Sequence, residues 1–134
     1  MKNALKKVFR ITALLSVGVL FFGSCKGGVK SKGYESISPK EAKAIMDSGE
    51  AHIILDVRTQ SEFNEGHIKG AVLIPDSEVK SRAEKELPDK EALILVYCRS
   101  GRRSKNASQI LADMGYVNVK EFGGIIDWPY DIEN

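Results

Sequence analysis

One cysteine, Cys98, lies where a buried strand is predicted to give way to a helix. The preceding residues 92–97 are apolar apart from a tyrosine hydroxyl, which is typical of a strand buried on both faces. After Ser104, apolar residues recur at helical spacing: Ala107, Ile110, Leu111 and Met114. Unpaired N–H groups and the macrodipole at a helix N-terminus favour a thiolate over a thiol. The pattern therefore predicts an anionic sulfur nucleophile at Cys98.

Three arginines lie close to this thiol, at positions 99, 102 and 103. Guanidinium groups bind oxyanions through paired N–H donors, so the loop suits an anionic substrate. The arginine cluster is a local feature of the loop and does not belong to a generally basic domain. The first 25 residues hold four basic residues and no acidic one. The rest of the 134-residue chain therefore has 16 basic against 18 acidic residues. That balance argues against nucleic-acid binding.

The N-terminus has the organisation of an export signal. Residues 1–10 are basic and residues 11–22 are apolar, a stretch too short to span a bilayer comfortably. A Gly-Ser-Cys sequence ending at Cys25 follows and resembles a bacterial lipobox, although Phe22 stands where an aliphatic residue is usual. We expect a signal peptide with a lipobox over residues 1–25 and lipidation at Cys25, which would anchor the exported protein to a membrane facing the periplasm. Ordinary cleavage in the same region and an uncleaved anchor are the alternatives.

A flexible tether is predicted over residues 26–36, which contain three glycines, three lysines and little to bury. Residues 37–134 are then expected to form one folded domain. The chain has two cysteines, so lipidation of Cys25 would leave Cys98 without an intramolecular disulfide partner. Such a cysteine is either buried and inert or retained for chemistry, and the neighbours of Cys98 favour chemistry.

The domain alternates between predicted strands and helices. A capping box with proline at the first helical position, residues 38–41, begins a helix that ends near Gly49. Further strands are predicted at 52–57, 71–74 and 117–122, a short helix or turn at 59–65, a helix at 76–87 and a short closing helix after 124. This alternation predicts an α/β fold with a mostly parallel sheet and helices on both faces. Ligands bind beyond the carboxyl ends of such strands, where Asp56, Arg58 and Cys98 could face one crevice.

Several segments resemble the single-domain rhodanese family, the thiosulfate sulfurtransferases. The matching pieces, in chain order, are Leu55-Asp56-Val57-Arg58, Glu62-Phe63, Gly66-His67-Ile68, Gly70-Ala71, Ile74-Pro75, Tyr97-Cys98-Arg99-Ser100-Gly101-Arg102-Arg103-Ser104, Gly115-Tyr116, Gly123-Gly124 and Trp128. The resemblance covers roughly residues 37–130. It implies a rhodanese-like fold with a five-stranded parallel sheet, and a persulfide formed on Cys98.

The resemblance also implies a reaction. A cysteine thiolate attacks the outer sulfur of thiosulfate, sulfite leaves, and a thiol or cyanide then collects the sulfur. The implied partners are a small anionic sulfur donor and a thiol acceptor, either a small molecule or a thioredoxin-like protein, and no cofactor is implied. Holding the persulfide anion requires the loop amides to turn inward, which the glycine of the loop permits. We assign catalysis to Cys98 and substrate binding to Arg99, Ser100, Gly101, Arg102 and Arg103.

Other functions are compatible with parts of this pattern. Related phosphatases carry Cys-x5-Arg, but here the arginine comes one place earlier, at Arg103, which disfavours phosphatase activity and arsenate reduction. A thiol redox enzyme would need a second cysteine, and a C-x-x-C pair is missing. The main alternative is a rhodanese-like module that docks a partner protein or relays sulfur with little free-standing activity.

Residues around the loop are predicted to support it. Asp56 and Ser104 are expected to brace it by hydrogen bonds. Arg58 is a candidate for substrate binding, although an ion pair with Glu62 or with Asp56 is the favoured interpretation. His67, in a turn between glycine and isoleucine, is expected to be structural. No histidine, cysteine or carboxylate cluster has metal-ligand spacing, so no metal is predicted.

Overall fold

The main sheet has five parallel strands in a computed structural model that describes residues 33–134. The strands are β1 (Glu35–Ser36), β2 (Ile53–Asp56), β4 (Val72–Leu73), β5 (Ile94–Cys98) and β6 (Val119–Gly124), and their spatial order is β1-β6-β5-β2-β4. A second, two-stranded sheet pairs β3 (His67–Ile68) antiparallel with β7 (Ile132–Glu133). The predicted α/β fold with a parallel sheet is confirmed.

Helices cover both faces of the main sheet. They are α1 (Pro39–Asp47), α2 (Gln60–Glu65), α3 (Val79–Glu86) and α4 (Arg102–Asp113), with 3-10 turns at Asp76–Glu78 and Ile125–Asp127. Ser38 and Glu41 form the predicted capping box of α1, and Thr59 and Glu62 form a second one that makes residues 60–65 a helix. Within residues 33–134, no helix is both long enough and apolar enough to cross a bilayer.

The two faces of the sheet form two apolar cores. Side chains alternate along β5, so Ile94, Val96 and Cys98 face one core while Leu95 and Tyr97 face the other. The first core is closed by α3 and α4 through Val79, Ala83, Ala107 and Leu111. The second core contains Ala42 of α1 together with Phe122 and Trp128. Because β5 is buried on both faces, the thiol at its end is fixed in position against α4.

Three short strands were not anticipated. β1 lies where the tether was predicted and adds an edge strand beside β6, which corrects the C-terminal boundary of that tether. β3 lies in the predicted turn around His67, and it pairs with β7, more than sixty residues later, for which no element was predicted. Strands of two residues carry too little periodicity to be detected in a sequence. The predicted signal peptide, Cys25 and the first part of the tether lie outside the described residues.

Candidate active site

Cys98 is the last residue of β5 and lies just before the N-terminus of α4. Its side chain is buried, with 1% of the residue exposed. Gly101 occupies the N-cap position of α4, and its backbone N–H donates to Cys98 Sγ at 3.0 Å. Gly101 has a φ of +105°, a left-handed conformation that favours glycine. The loop therefore turns the Gly101 amide, one of the set predicted to face inward, toward the sulfur.

A hydroxyl and, beyond it, a carboxylate also lie near the thiol. Cys98 Sγ is 3.4 Å from Ser104 Oγ, and this oxygen lies 2.7 Å from Glu121 Oε1. Glu121 is 2% exposed, and its Oε1 also accepts the backbone N–H of Gly123 at 2.8 Å. The sulfur therefore contacts a backbone donor directly and a buried acidic group through the Ser104 hydroxyl.

The arginines of the loop differ in their surroundings. Arg99 and Arg102 are exposed, and neither forms an ion pair with any residue in the described part of the chain. Arg103 is half-buried and donates two hydrogen bonds to the Glu62 carboxylate, at 2.7 and 2.8 Å. These bonds and the charge of Glu62 raise the pKa of Arg103, and Cys98 lies within electrostatic reach of the same guanidinium.

Arg58 belongs to the scaffold of the site. Its guanidinium donates to both oxygens of Asp56, the shortest contact being 2.7 Å, and to the Gly66 carbonyl at 2.7 Å. Burial disfavours the charged guanidinium, but the hydrogen bonds and charge of Asp56 outweigh it and raise the pKa of Arg58. Arg58 is 5% exposed and makes one of the two ion pairs favoured for it, so it is placed as a supporting residue, and substrate binding by Arg58 stays a prediction. Asp56 was one of the two partners predicted for it.

The other predicted partner, Glu62, instead connects α2 to the loop through Arg103. The local spacing of four residues between Arg58 and Glu62 suggested their ion pair. The structure pairs Glu62 with a residue 41 positions away. His67, expected to be structural, stacks on Phe63 with ring centroids 3.7 Å apart.

Residues 38–129 match the sequence profile of the rhodanese-like domain, which accounts for more than half of the chain. The chain belongs to the rhodanese-like family. It is 42% identical over 73 residues to "Thiosulfate sulfurtransferase PspE" of Escherichia coli (strain K12), a match covering 54% of this chain and 70% of that protein.

A longer relative and a solved structure are also similar to the rhodanese-like domain of this chain. It is 32% identical over 105 residues to "Adenylyltransferase and sulfurtransferase UBA4" of Candida albicans, covering 73% of this chain but 24% of that longer protein. A solved structure described as "rhodanese with anions from E. coli" superposes with a TM-score of 0.59 and 38% identity, covering 63% of this chain and 99% of that one. Sulfurtransferases are thus among its relatives.

Glu121 is the residue of this rhodanese-like site that the sequence reasoning missed. It lies on β6 two residues after Val119, so both side chains point to the same face of the sheet, and Val119 is 3% exposed in the core. The sequence signal for this residue was an acidic side chain two positions after a core valine, a spacing that puts both on one face of a strand. It was overlooked because residues 117–122 were interpreted by their apolar members alone.

The ion pair between Glu62 and Arg103 makes stability depend on pH. Arg103, followed by hydrogen bonds from Thr59, lowers the pKa of Glu62 from 4.5 to about 2. A carboxyl whose folded pKa is depressed stabilises the fold above its unfolded pKa, and this stabilisation is lost as pH falls toward the folded pKa. We expect Glu62→Gln to lower the free energy of unfolding by on the order of 1–2 kcal/mol at pH 7.

Urea denaturation at several pH values measures this effect. Glutamine can keep the capping box of α2, so the substitution removes the charge with little change to the helix. The difference in the free energy of unfolding between wild type and Glu62→Gln should shrink as the pH falls from 4.5 to about 2. These are the ordinary and the folded-state pKa values of Glu62. A difference that stays constant over that range would show that the pair contributes no charge-dependent stability.

Proposed function

We propose that this protein is a sulfurtransferase that carries sulfane sulfur on Cys98. The observation that carries the proposal is the hydrogen bond from Gly101 N–H to Cys98 Sγ at the start of α4. This donor favours negative charge on Cys98 Sγ, as the nucleophilic thiolate requires. Membership of the rhodanese-like family, with a relative named thiosulfate sulfurtransferase, supports the same reaction.

The reaction has two half-steps. In the first, the Cys98 thiolate attacks the outer sulfur of thiosulfate, and the sulfur–sulfur bond of the donor breaks with its electron pair leaving on sulfite. A persulfide anion remains on the enzyme. In the second, cyanide or a thiolate attacks the outer sulfur of this persulfide, and the thiolate of Cys98 is regenerated. Charge is conserved in each step, and no other reactant is needed.

Steady-state kinetics test this function. With thiosulfate as donor and cyanide as acceptor, we expect sulfite and thiocyanate to form in equal amounts. Double-reciprocal plots at several cyanide concentrations should be parallel, since each half-reaction is completed before the next begins. Cys98→Ser should abolish turnover. Absence of thiocyanate with thiosulfate, mercaptopyruvate and a polysulfide would favour the docking or relay module instead.

The exposed arginines are proposed to attract the donor dianion. We expect Arg102→Ala to raise KM for thiosulfate several-fold with kcat nearly unchanged, because a surface charge acts mainly on encounter and binding. The effect should weaken at high ionic strength. Lys85→Ala is the matched control, since it removes one positive charge from the last turn of α3, at the opposite end of the sheet. Equal effects of both substitutions would show that only net charge matters.

The cellular location is also a proposal. Export through the signal sequence and lipidation at Cys25 would place the domain beside a membrane facing the periplasm. Expression in a bacterial host with a radiolabelled fatty acid tests it. We expect label in the wild-type protein and none in Cys25→Ala. An unlabelled wild-type protein released into the soluble periplasmic fraction would contradict lipid anchoring.

A further inference from the structure

The surroundings of Ser104 determine how it interacts with Cys98. Ser104 Oγ lies 2.7 Å from Glu121 Oε1, 3.0 Å from the Gly101 carbonyl and 3.3 Å from the Gly123 carbonyl. All three are acceptors, and a hydroxyl has one proton to donate. The shortest contact is to the carboxylate, and charged acceptors form the stronger hydrogen bonds. The hydroxyl proton therefore points to Glu121, and a lone pair of Ser104 faces the sulfur.

This arrangement favours a protonated Cys98. A lone pair at 3.4 Å can accept the S–H proton of a thiol, but it offers nothing to a thiolate. Glu121 adds the repulsion of a buried negative charge. Among residues 33–134 no cation pairs with its carboxylate, which instead accepts hydrogen bonds from Ser104, Gly123 and, at 3.4 Å, the Ser36 hydroxyl.

We propose that Glu121 is a positioning residue that, through Ser104, holds the sulfur-free Cys98 as a neutral thiol and makes it a stronger nucleophile when it ionises. The proton leaves to solvent on ionisation, and Gly101 N–H then stabilises the thiolate. A thiolate that is harder to form is also intrinsically more reactive, because nucleophilicity rises with basicity. The inference deepens the proposed function, since it concerns the same sulfur.

Other charged groups also lie around the thiol and Glu121. Arg103 on α4 lies within electrostatic reach of Cys98 and is paired with Glu62 on α2. The remaining charged residues around the loop and beside Glu121 are Arg99, Arg102, Lys105, Asp76 and Asp127. None of them is changed when Glu121 is replaced, so a substitution at this position isolates its own charge.

Alkylation of Cys98 by iodoacetamide across a pH series tests the inference. We compare the full-length protein with Glu121→Gln, and mass spectrometry of the peptide carrying Cys98 gives its rate separately from Cys25. Glutamine has nearly the same shape and removes the charge. At neutral pH we expect Glu121→Gln to react about threefold faster, because the larger ionised fraction outweighs the lower reactivity of each thiolate. At high pH, where both proteins are fully ionised, it should react about threefold more slowly.

These opposite changes separate a charge effect from a loosened loop, which would alter both rates in one direction. Glu35→Gln is the matched control, since it removes an exposed carboxylate on β1 that pairs with Lys120. We expect it to react like wild type. An unchanged or slower rate of Glu121→Gln at neutral pH would overturn the inference. Alkylation needs no sulfur donor, so this result is independent of whether thiocyanate is formed.

A measurement on the wild-type protein covers the case in which Glu121→Gln does not fold. The infrared difference spectrum between wild type and Cys98→Ser at neutral pH isolates the S–H stretching band of Cys98. We expect this band to be present in the wild-type protein. Its absence would show that Cys98 rests as a thiolate and would overturn the inference.

Discussion

Gly124→Ala is expected to abolish sulfur transfer. A Cβ added at Gly124 would lie 2.0 Å from the Arg99 carbonyl oxygen and 2.5 Å from the backbone nitrogen of Ser100. These are backbone atoms of the loop that begins at Cys98, so no side-chain rotation can relieve the overlap. The loop must move, and a displacement of about 1 Å in a catalytic group costs on the order of a hundredfold in rate. Thiocyanate formation should fall by at least that factor.

Gly33→Ala is the control for this substitution. A Cβ at Gly33 meets nothing within 4 Å, and that variant should keep wild-type activity. Thermal unfolding of both variants separates loop displacement from global unfolding. We expect Gly124→Ala to lose about 1–3 kcal/mol of stability, as overpacked sites do. Near-normal turnover of Gly124→Ala would show that the loop need not keep this position for catalysis.

Arg58→Met is expected to lower the free energy of unfolding by about 3–5 kcal/mol. The substitution removes the buried partner of Asp56, which is fully buried and would be left as an unpaired charge. Because Arg58 belongs to the scaffold, KM for thiosulfate should stay unchanged in the fraction that remains folded. Urea denaturation and steady-state kinetics measure the two effects separately.

Arg82→Met provides the comparison. Arg82 pairs with Glu78 and Glu86 on the exposed face of α3, and its side chain is 38% exposed. Exposed pairs contribute about 0–1 kcal/mol each, so this variant should lose little stability. If Arg58→Met were as stable as Arg82→Met and raised KM for thiosulfate, Arg58 would have to be assigned to substrate binding after all.

The parts of this fold that could be predicted from sequence are those with a local physical cause. The apolar residues of β5 predicted a doubly buried strand, and Ser38 with Glu41 predicted the start of α1. The strand–helix junction at Cys98 also follows from neighbouring residues. Each of these features depends on side chains within a few positions of one another.

The contacts that could not be predicted join distant parts of the chain. The ion pair between Glu62 and Arg103 spans 41 positions, and a helical spacing rule suggested Arg58 instead. The contact between Ser104 and Glu121 depends on which strand lies beside β5, which the sequence pattern does not specify. The sequence therefore predicted the position of Cys98 at the end of a buried strand and the helix that follows it, but not the nearby carboxylate of Glu121.

Intact-mass spectrometry of the protein after incubation with thiosulfate tests most directly whether Cys98 carries sulfur. We expect the mass to rise by that of one sulfur atom and to return to its original value when cyanide is added. Cys98→Ser should show no gain. A mass that does not change with thiosulfate, or a gain that persists in Cys98→Ser, would contradict sulfur transfer through Cys98.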